Sequence, residues 1–257
     1  MKKGTYSAPS VKKAFRILQT ISDSKNGSGI SEIAKQLKIG KSTVHGITAA
    51  LEELGLLVRD PLHKKYQLGY SLLELSRKFY KKMELRDIAR VPMERLAEKV
   101  EESIFLGIMN GDHITILDVV ESHHKMKITS PPGTRLHLLA GAIGKIFLAQ
   151  FEEKKAKQIL QRMGLKRYTS KSIVDPKKYI KEVEETKKKG YAVDDEEYLP
   201  GVRAIAASLQ TASLSPAAIW VVGFTSSFTD QKMEEVILEI RKTVQDINCS
   251  LKDHGKP

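Results

Sequence analysis

The sequence predicts an α+β protein in two parts: an N-terminal winged helix-turn-helix, then a linker helix and a C-terminal α+β domain around an antiparallel sheet. Three observations carry that expectation. Residues 30–68 contain two short amphipathic helical segments, a tight turn between them and a basic hairpin after them. Positive charge is concentrated at the front, where residues 1–82 hold 16 Lys and Arg against 6 Asp and Glu, whereas the other 175 hold 27 against 25. From residue 101 the apolar period changes from helical to strand-like, with an Asn-Gly hairpin signal at 110–111.

A chain of 257 residues suits two domains, each long enough to bury a core. Its 41% hydrophobic and 29% charged content is that of a soluble globular protein. No apolar run approaches the ~18 residues needed to cross a bilayer. Met1-Lys2-Lys3 is followed by no hydrophobic segment, so export is not expected. One cysteine, Cys249, cannot form an internal disulfide, which fits a reducing cytoplasm.

The first helix spans residues 10–22, with Val11, Ala14, Phe15, Leu18 and Ile21 on one stripe that braces the unit behind it. Residues 24–29 form a polar loop. In the next helix Ile30, Ile33, Ala34 and Leu37 mark one apolar face, and Ile39-Gly40 is read as the turn, glycine being cheap outside helical angles. The following helix sets Val44, Ile47, Leu51 and Leu54 inward. Its opposite face carries Ser42, His45, Gly46 and Ala49, with Lys41 at the N-terminal end. A helix without bulk on its outer face and with hydrogen-bonding groups near its start suits the DNA major groove. Gly55 closes it at C′. Leu56-Leu57-Val58 and Tyr66-Gln67-Leu68 are read as strands flanking a wing with Arg59, His63, Lys64 and Lys65. The charge excess on this segment supplies the field that binding a polyanion requires.

Residues 70–83 are read as a linker helix whose apolar side chains, Leu72, Leu73, Leu75 and Phe79, need a partner. A second helix over 84–100 turns Ile88, Val91, Leu96 and Val100 inward, with a kink or restart at Pro92. Strands at 104–109 and 114–120 form a hairpin with a type I′ turn at Asn110-Gly111, and 126–129 adds a third strand. Helices follow near 140–150, 152–163 and 176–189, the last stopped by Gly190. Strands resume at 191–193, 205–209 and 217–224. A final helix begins after the N-cap Thr229 and carries Met233, Val236, Ile237, Ile240, Val244, Ile247 and Leu251.

Three stretches together carry a family resemblance: ISEIAKQLKIGKSTVHGITAALEELGLLVRDPLHKKYQLG, GTRLHLLAGAIGKIFLAQ and KKKGYAVDDEEYLPGVRAIAASL. Over nearly its whole length the chain resembles the IclR-type (isocitrate lyase regulator) transcription factors. The resemblance implies a GAF-like effector-binding second domain, binding to pseudo-palindromic double-stranded operator DNA, and assembly as a homodimer or a dimer of dimers. It implies a small-molecule effector and control of genes for small-acid, aromatic or sugar catabolism.

Carried over by position, Lys41, Ser42, Thr43 and His45 are the implied DNA-contacting residues of the recognition helix, and Val44 is core. Gly46 departs from the arginine common in the family, which implies altered operator contacts. Arg59, Lys64 and Lys65 are read as phosphate contacts. Helix capping remains an alternative for Ser42 and Thr43, and an inert surface position for His45. The implied effector pocket lies between residues 133–144, the Asp194 region and the last two strands. Acidic effectors would be held there by backbone N–H groups near Ala142 and Ile143, a helix N-terminus being an anion site on physical grounds as well. Three pocket positions depart from the family: Ala204 replaces a frequent cysteine, and Trp220 and Val222 replace serine-like residues. Trp220 either faces the pocket or fills the core. An aromatic or less polar acid is therefore expected over a two-carbon oxoacid.

Other constellations carry less. Asp194-Asp195-Glu196-Glu197 is read as a solvated loop with Asp194 alone facing the pocket, since four adjacent carboxylates do not converge and no His completes a metal site. His123-His124 is read as surface. Gly141-Ala142-Ile143-Gly144-Lys145 lacks phosphate-loop spacing, and Lys145 is expected to open a helix or to pair within one. No cofactor and no nucleophile–base–orienter set is found. A ligand-responsive regulator is the leading reading. A constitutive DNA-binding protein with a dimerisation-only second domain and an enzyme with an appended DNA-binding domain are the alternatives. In the leading reading, effector binding shifts the linker helices at 70–83 and with them the spacing of two recognition helices.

Overall fold

The computed structural model describes residues 8–80, 84–211 and 215–254. The chain divides into two compact units, Met1–Met83 and Glu84–Pro257.

The first unit contains α1 (Pro9–Ser22), α2 (Ile30–Leu37), α3 (Lys41–Glu53), β1 (Leu57–Arg59), β2 (Tyr66–Leu68) and α4 (Ser71–Tyr80). Ile17, Ile21, Ile33, Ala34, Val44, Leu51, Leu57 and Tyr66 form its core. Of the expected α1 stripe Ile21 is buried and Ala14 and Leu18 pack against the core, but Val11 and Phe15 are exposed, and Ile17 and Thr20 take inner places. The helix has apolar side chains around more than one edge, so its periodicity alone does not choose the inner one. Leu54 likewise lies outside, at the C-cap of α3, and Thr48 takes the inner place with its hydroxyl bonded to His45 O at 3.0 Å. The left-handed residue between α2 and α3 is Lys38 (φ 55°), and Gly40 is instead the extended N-cap of α3 (φ −59°). Gly55 does adopt the left-handed C′ conformation (φ 67°). Strands β1 and β2 pair antiparallel from Leu57↔Leu68 to Arg59↔Tyr66, and Ser28 bridges Tyr66 from the loop before α2. Of the expected linker helix, α4 covers 71–80, and 81–83 lie outside the described residues.

In the second unit, α5 (Glu84–Val100) precedes the hairpin β3 (Ser103–Asn110) and β4 (His113–Val120), and β5 (Arg135–His137) follows. Then come α6 (Gly141–Leu148), α7 (Glu153–Met163), α8 (Pro176–Lys189), β6 (Tyr191–Asp195), β7 (Val202–Leu209), β8 (Ala217–Phe224) and α9 (Asp230–His254). The strands form one antiparallel sheet ordered β5-β4-β3-β8-β7-β6. Helices α5 and α9 pack together against it, and α6 with α8 covers the other face. Each strand can then bury alternate side chains on both faces, which explains the near-continuous apolar runs of β3 and β8.

Three expectations need correction here. Helix α5 continues through Pro92, with Leu85, Ala89, Met93, Leu96, Ala97 and Val100 buried, and Val91 is exposed. Burial on both sides of the proline holds one helix despite the lost N–H. The hairpin pairs Asn110 with His113, so its two-residue loop is Gly111-Asp112, one residue later than expected. Only Gly111 there has positive φ (66°), as type II′ turns require. The third strand is Arg135–His137 on the edge beside β4, not residues 126–129.

Candidate functional site

Two faces concern function, one in each unit. On α3, Lys41, Ser42, His45, Gly46 and Ala49 are exposed together, and Thr43 is half-buried. The start of α3 carries no side-chain cap bond, so capping does not occupy Ser42 or Thr43. A Cβ added to Gly46 would meet nothing within 4 Å, so packing does not force the glycine. In the wing, Arg59 and Lys64 are exposed and Lys65 is half-buried. The Arg59 guanidinium lies over the Tyr66 ring at 5.8 Å. Lys65 Nζ is 3.7 Å from Glu32 Oε1. The wing tip is organised by Asp60, whose Oδ1 accepts from Leu62 N at 2.8 Å and His63 N at 3.3 Å while Oδ2 meets His63 Nδ1 at 2.6 Å. The bond to His63, ahead of the two backbone donors, holds the Asp60 carboxyl below the usual carboxylate range.

In the second unit, Ala142, Ile143, Asp194, Ala204, Trp220 and Val222 line one cavity of about 220 Å³. Phe105, Ile116, Leu136, Ser130 and Tyr198 are among the other residues that line it. Trp220 does both things open to it: it is buried in the core and its ring faces the cavity, stacked on Phe105 with centroids 5.6 Å apart and planes 7° from parallel. Gly107 makes room, since a Cβ there would stand 2.7 Å from the indole edge. The first turn of α6 brings the Ala142 and Ile143 backbone to the same wall, with N-terminal N–H groups that have no intrahelical acceptor.

Asp194 supplies the cavity's carboxylate. It is 6% exposed, and its Oδ1 accepts from Glu197 N at 2.6 Å. Burial pushes its carboxyl up to about 6; the Glu197 carboxylate adds to the rise and Lys145 opposes it. The carboxylate fits closely over α6, where any side chain at Gly141 would collide with it.

Beneath this wall lies a polar network that the periodicity of the sequence did not announce. Lys145 is 2% exposed, and its Nζ donates to Val193 O and to Glu197 Oε1, each at 2.6 Å. It therefore pairs across to the turn after β6, not within its own helix as expected. Burial raises the Glu197 carboxyl against the opposing pull of Lys145. The Tyr179 hydroxyl is buried without a hydrogen-bond partner and lies against Gly144. Asp195 pairs with Arg203 at 2.6 Å and Lys171 at 3.1 Å, and Glu196 with Lys171 at 2.7 Å. The acidic run, at the end of β6 and in the turn after it, is thus tied down by ion pairs where a solvated loop was expected, while Asp194 alone of the four lines the cavity as expected. The available signal was one lysine inside an otherwise apolar helix, all of which is buried: a charge at such a position needs a partner.

A larger open groove of about 590 Å³ between α7 and α8 is lined by Leu160, Leu165, Val174 and Ile180, with Lys157 and Lys177 at its rim. It brings no buried polar group to an apolar enclosure, whereas the smaller cavity does. Among the described residues no group of three His, Cys, Asp or Glu could hold a metal ion, and no helix is long and apolar enough to cross a membrane.

Comparison with known proteins places both units. A family model described as IclR helix-turn-helix domain matches residues 10–61, and one described as bacterial transcriptional regulator IclR C-terminal matches residues 77–249. The HTH-type transcriptional regulator BhcR of Paracoccus denitrificans (strain Pd 1222) is 32% identical, over 95% of this chain and 88% of its own. The crystal structure of the Thermotoga maritima IclR superposes with a TM-score of 0.71 at 29% identity, covering 94% of this chain and 98% of that one. An IclR homologue of Microbacterium hydrocarbonoxydans, solved in complex with 4-hydroxybenzoate, shares the fold (TM-score 0.80, 20% identity, 95% and 99% of the two chains).

Proposed function

Because the chain belongs to the IclR family of bacterial transcriptional regulators, we propose that its effector is a single-ring aromatic acid held in the Asp194–Trp220 cavity. The protein is a transcriptional regulator with a helix-turn-helix DNA-binding domain and a C-terminal effector-binding domain. The stacked Phe105–Trp220 pair facing one buried carboxylate carries the reading. Stacked rings favour an aromatic face. A cavity of about 220 Å³ falls below the ~300–1,000 Å³ of drug-sized sites, which suits one ring. The ligand carboxylate meets the Ala142 and Ile143 N–H groups at the start of α6, and its ring lies against Trp220. That 4-hydroxybenzoate occupies a homologue of the same fold supports this choice of ligand class.

On DNA, α3 enters the major groove with Ser42, Thr43 and His45 toward base edges, while Lys41, Arg59, Lys64 and Lys65 hold phosphates. One winged helix reads a half-site, so the working species is a homodimer or a dimer of dimers on a pseudo-palindrome. It acts in the cytoplasm, where its operator is. Effector binding shifts the population of arrangements of the segment 70–83 that precedes α5. The test is a titration of full-length protein with 4-hydroxybenzoate and, separately, pyruvate, followed by the fluorescence of its single tryptophan and by melting temperature. The aromatic acid is expected to quench Trp220 and raise the melting temperature. A response to pyruvate with none to 4-hydroxybenzoate rejects the ligand class.

A further inference from the structure

The end of β6 and the turn after it give the cavity Asp194, Tyr198 and Leu199, yet that turn is held from outside by a separate segment, residues 168–172, between α7 and α8. Thr169 Oγ1 donates to Glu196 O at 2.7 Å, with Glu197 O at 3.3 Å. Ser172 Oγ donates to Glu197 O at 2.7 Å and accepts from Tyr168 N and Thr169 N, each at 2.9 Å. Lys171 adds its two ion pairs to Asp195 and Glu196. The Tyr168 ring meets Tyr198 edge-on with centroids 4.8 Å apart.

One peptide unit ties these contacts to the cavity. The Glu196 carbonyl that Thr169 holds and the Glu197 N–H that bonds Asp194 belong to the same planar group. They point in opposite directions, outward to the hydroxyl and inward to the carboxylate. Glu196 has a left-handed backbone (φ 61°), which a side-chain-bearing residue adopts only when its surroundings impose it. If the peptide turned over, a carbonyl would face the Asp194 carboxylate and repel it.

We propose that Thr169 and Ser172 are positioning residues of the cavity. Thr169 fixes the 196–197 peptide so that Asp194 keeps its direction, and the 168–172 segment keeps Tyr198 across the cavity, setting access to it. That this tunes effector selection rests on the cavity being the effector site. The positioning itself is measured without any ligand, so its outcome is independent of a failed titration with 4-hydroxybenzoate.

Trp220, the single tryptophan, reports the wall directly. Acrylamide quenching of its fluorescence is compared in the full-length parent, Thr169→Val, Thr169→Ser and Ser172→Ala, with circular dichroism and melting recorded alongside. Thr169→Val keeps the shape and removes the donor, so the local opening it permits is expected to raise the quenching constant about threefold. Thr169→Ser, which restores a hydroxyl, is expected to match the parent. Unchanged quenching in a folded Thr169→Val protein, or an equal rise in Thr169→Ser, overturns the proposal. Should Thr169→Val not fold, Ser172→Ala decides by the same criterion.

Discussion

Asp194 is pulled two ways: burial favours its neutral form, and the Glu197 N–H favours its charged one. Burial wins, lifting the carboxyl from 3.8 to about 6. A group whose folded pKa is raised stabilises the fold while protonated, and that contribution is lost as the pH climbs from the unfolded value through the folded one. At neutral pH the ionised side chain therefore costs stability, by at most about 3 kcal/mol. Asp194→Asn keeps an oxygen for Glu197 N and removes the titration. Its melting temperature is expected to exceed the parent's near pH 7.5 and to converge with it near pH 4, a gap followed by calorimetry across the range; a gap indifferent to pH sinks the idea. Lys145 poses the complementary case. Lys145→Met strands the buried Glu197 carboxylate and is expected to cost about 3–5 kcal/mol in urea denaturation, with Lys145→Met/Glu197→Gln recovering most of it. Of these residues the sequence marked Asp194 through family resemblance, whereas the Lys145–Glu197 pair was not legible. Their partnership spans 52 positions, and no local period encodes a contact of that range.

The helices α2 and α3 were readable because period and length agree within them. Faces and registers were less so. On α1 the choice between Val11-Phe15 and Ile17-Thr20 for the inner face depends on where α2 and α3 lie, which is tertiary information. In the β3–β4 hairpin the Asn-Gly pair marked the turn, yet pairing on both sides moved the loop by one residue. Gly46 offers a test at this scale, since it sits mid-helix, exposed and with open space at its Cβ position. Gly46→Ala is expected to stabilise the protein by about 0.5–1 kcal/mol through helix propensity. A destabilised variant in chemical denaturation would mean that the position is constrained by something other than α3.

Across the whole molecule, the chain divides into two compact units after residue 83, and the excess of positive charge lies in the first. Oligomeric state belongs to this scale, because a half-site reader gains operator specificity by symmetry. Sedimentation at micromolar concentration is expected to give a species of at least two chains, and a monomer would remove the basis for the dyad-symmetric operator. The close fit of Trp220 over Gly107 has a historical corollary. The large residue at 220 tolerates no side chain at 107, and Ile114 Cγ2, 2.9 Å from the same Cβ position, closes the other side. A lineage that exchanges Trp220 for a smaller residue must therefore keep glycine at 107 or change 114 as well. The glycine is inherited with both of its neighbours, and replacing the indole alone does not release it.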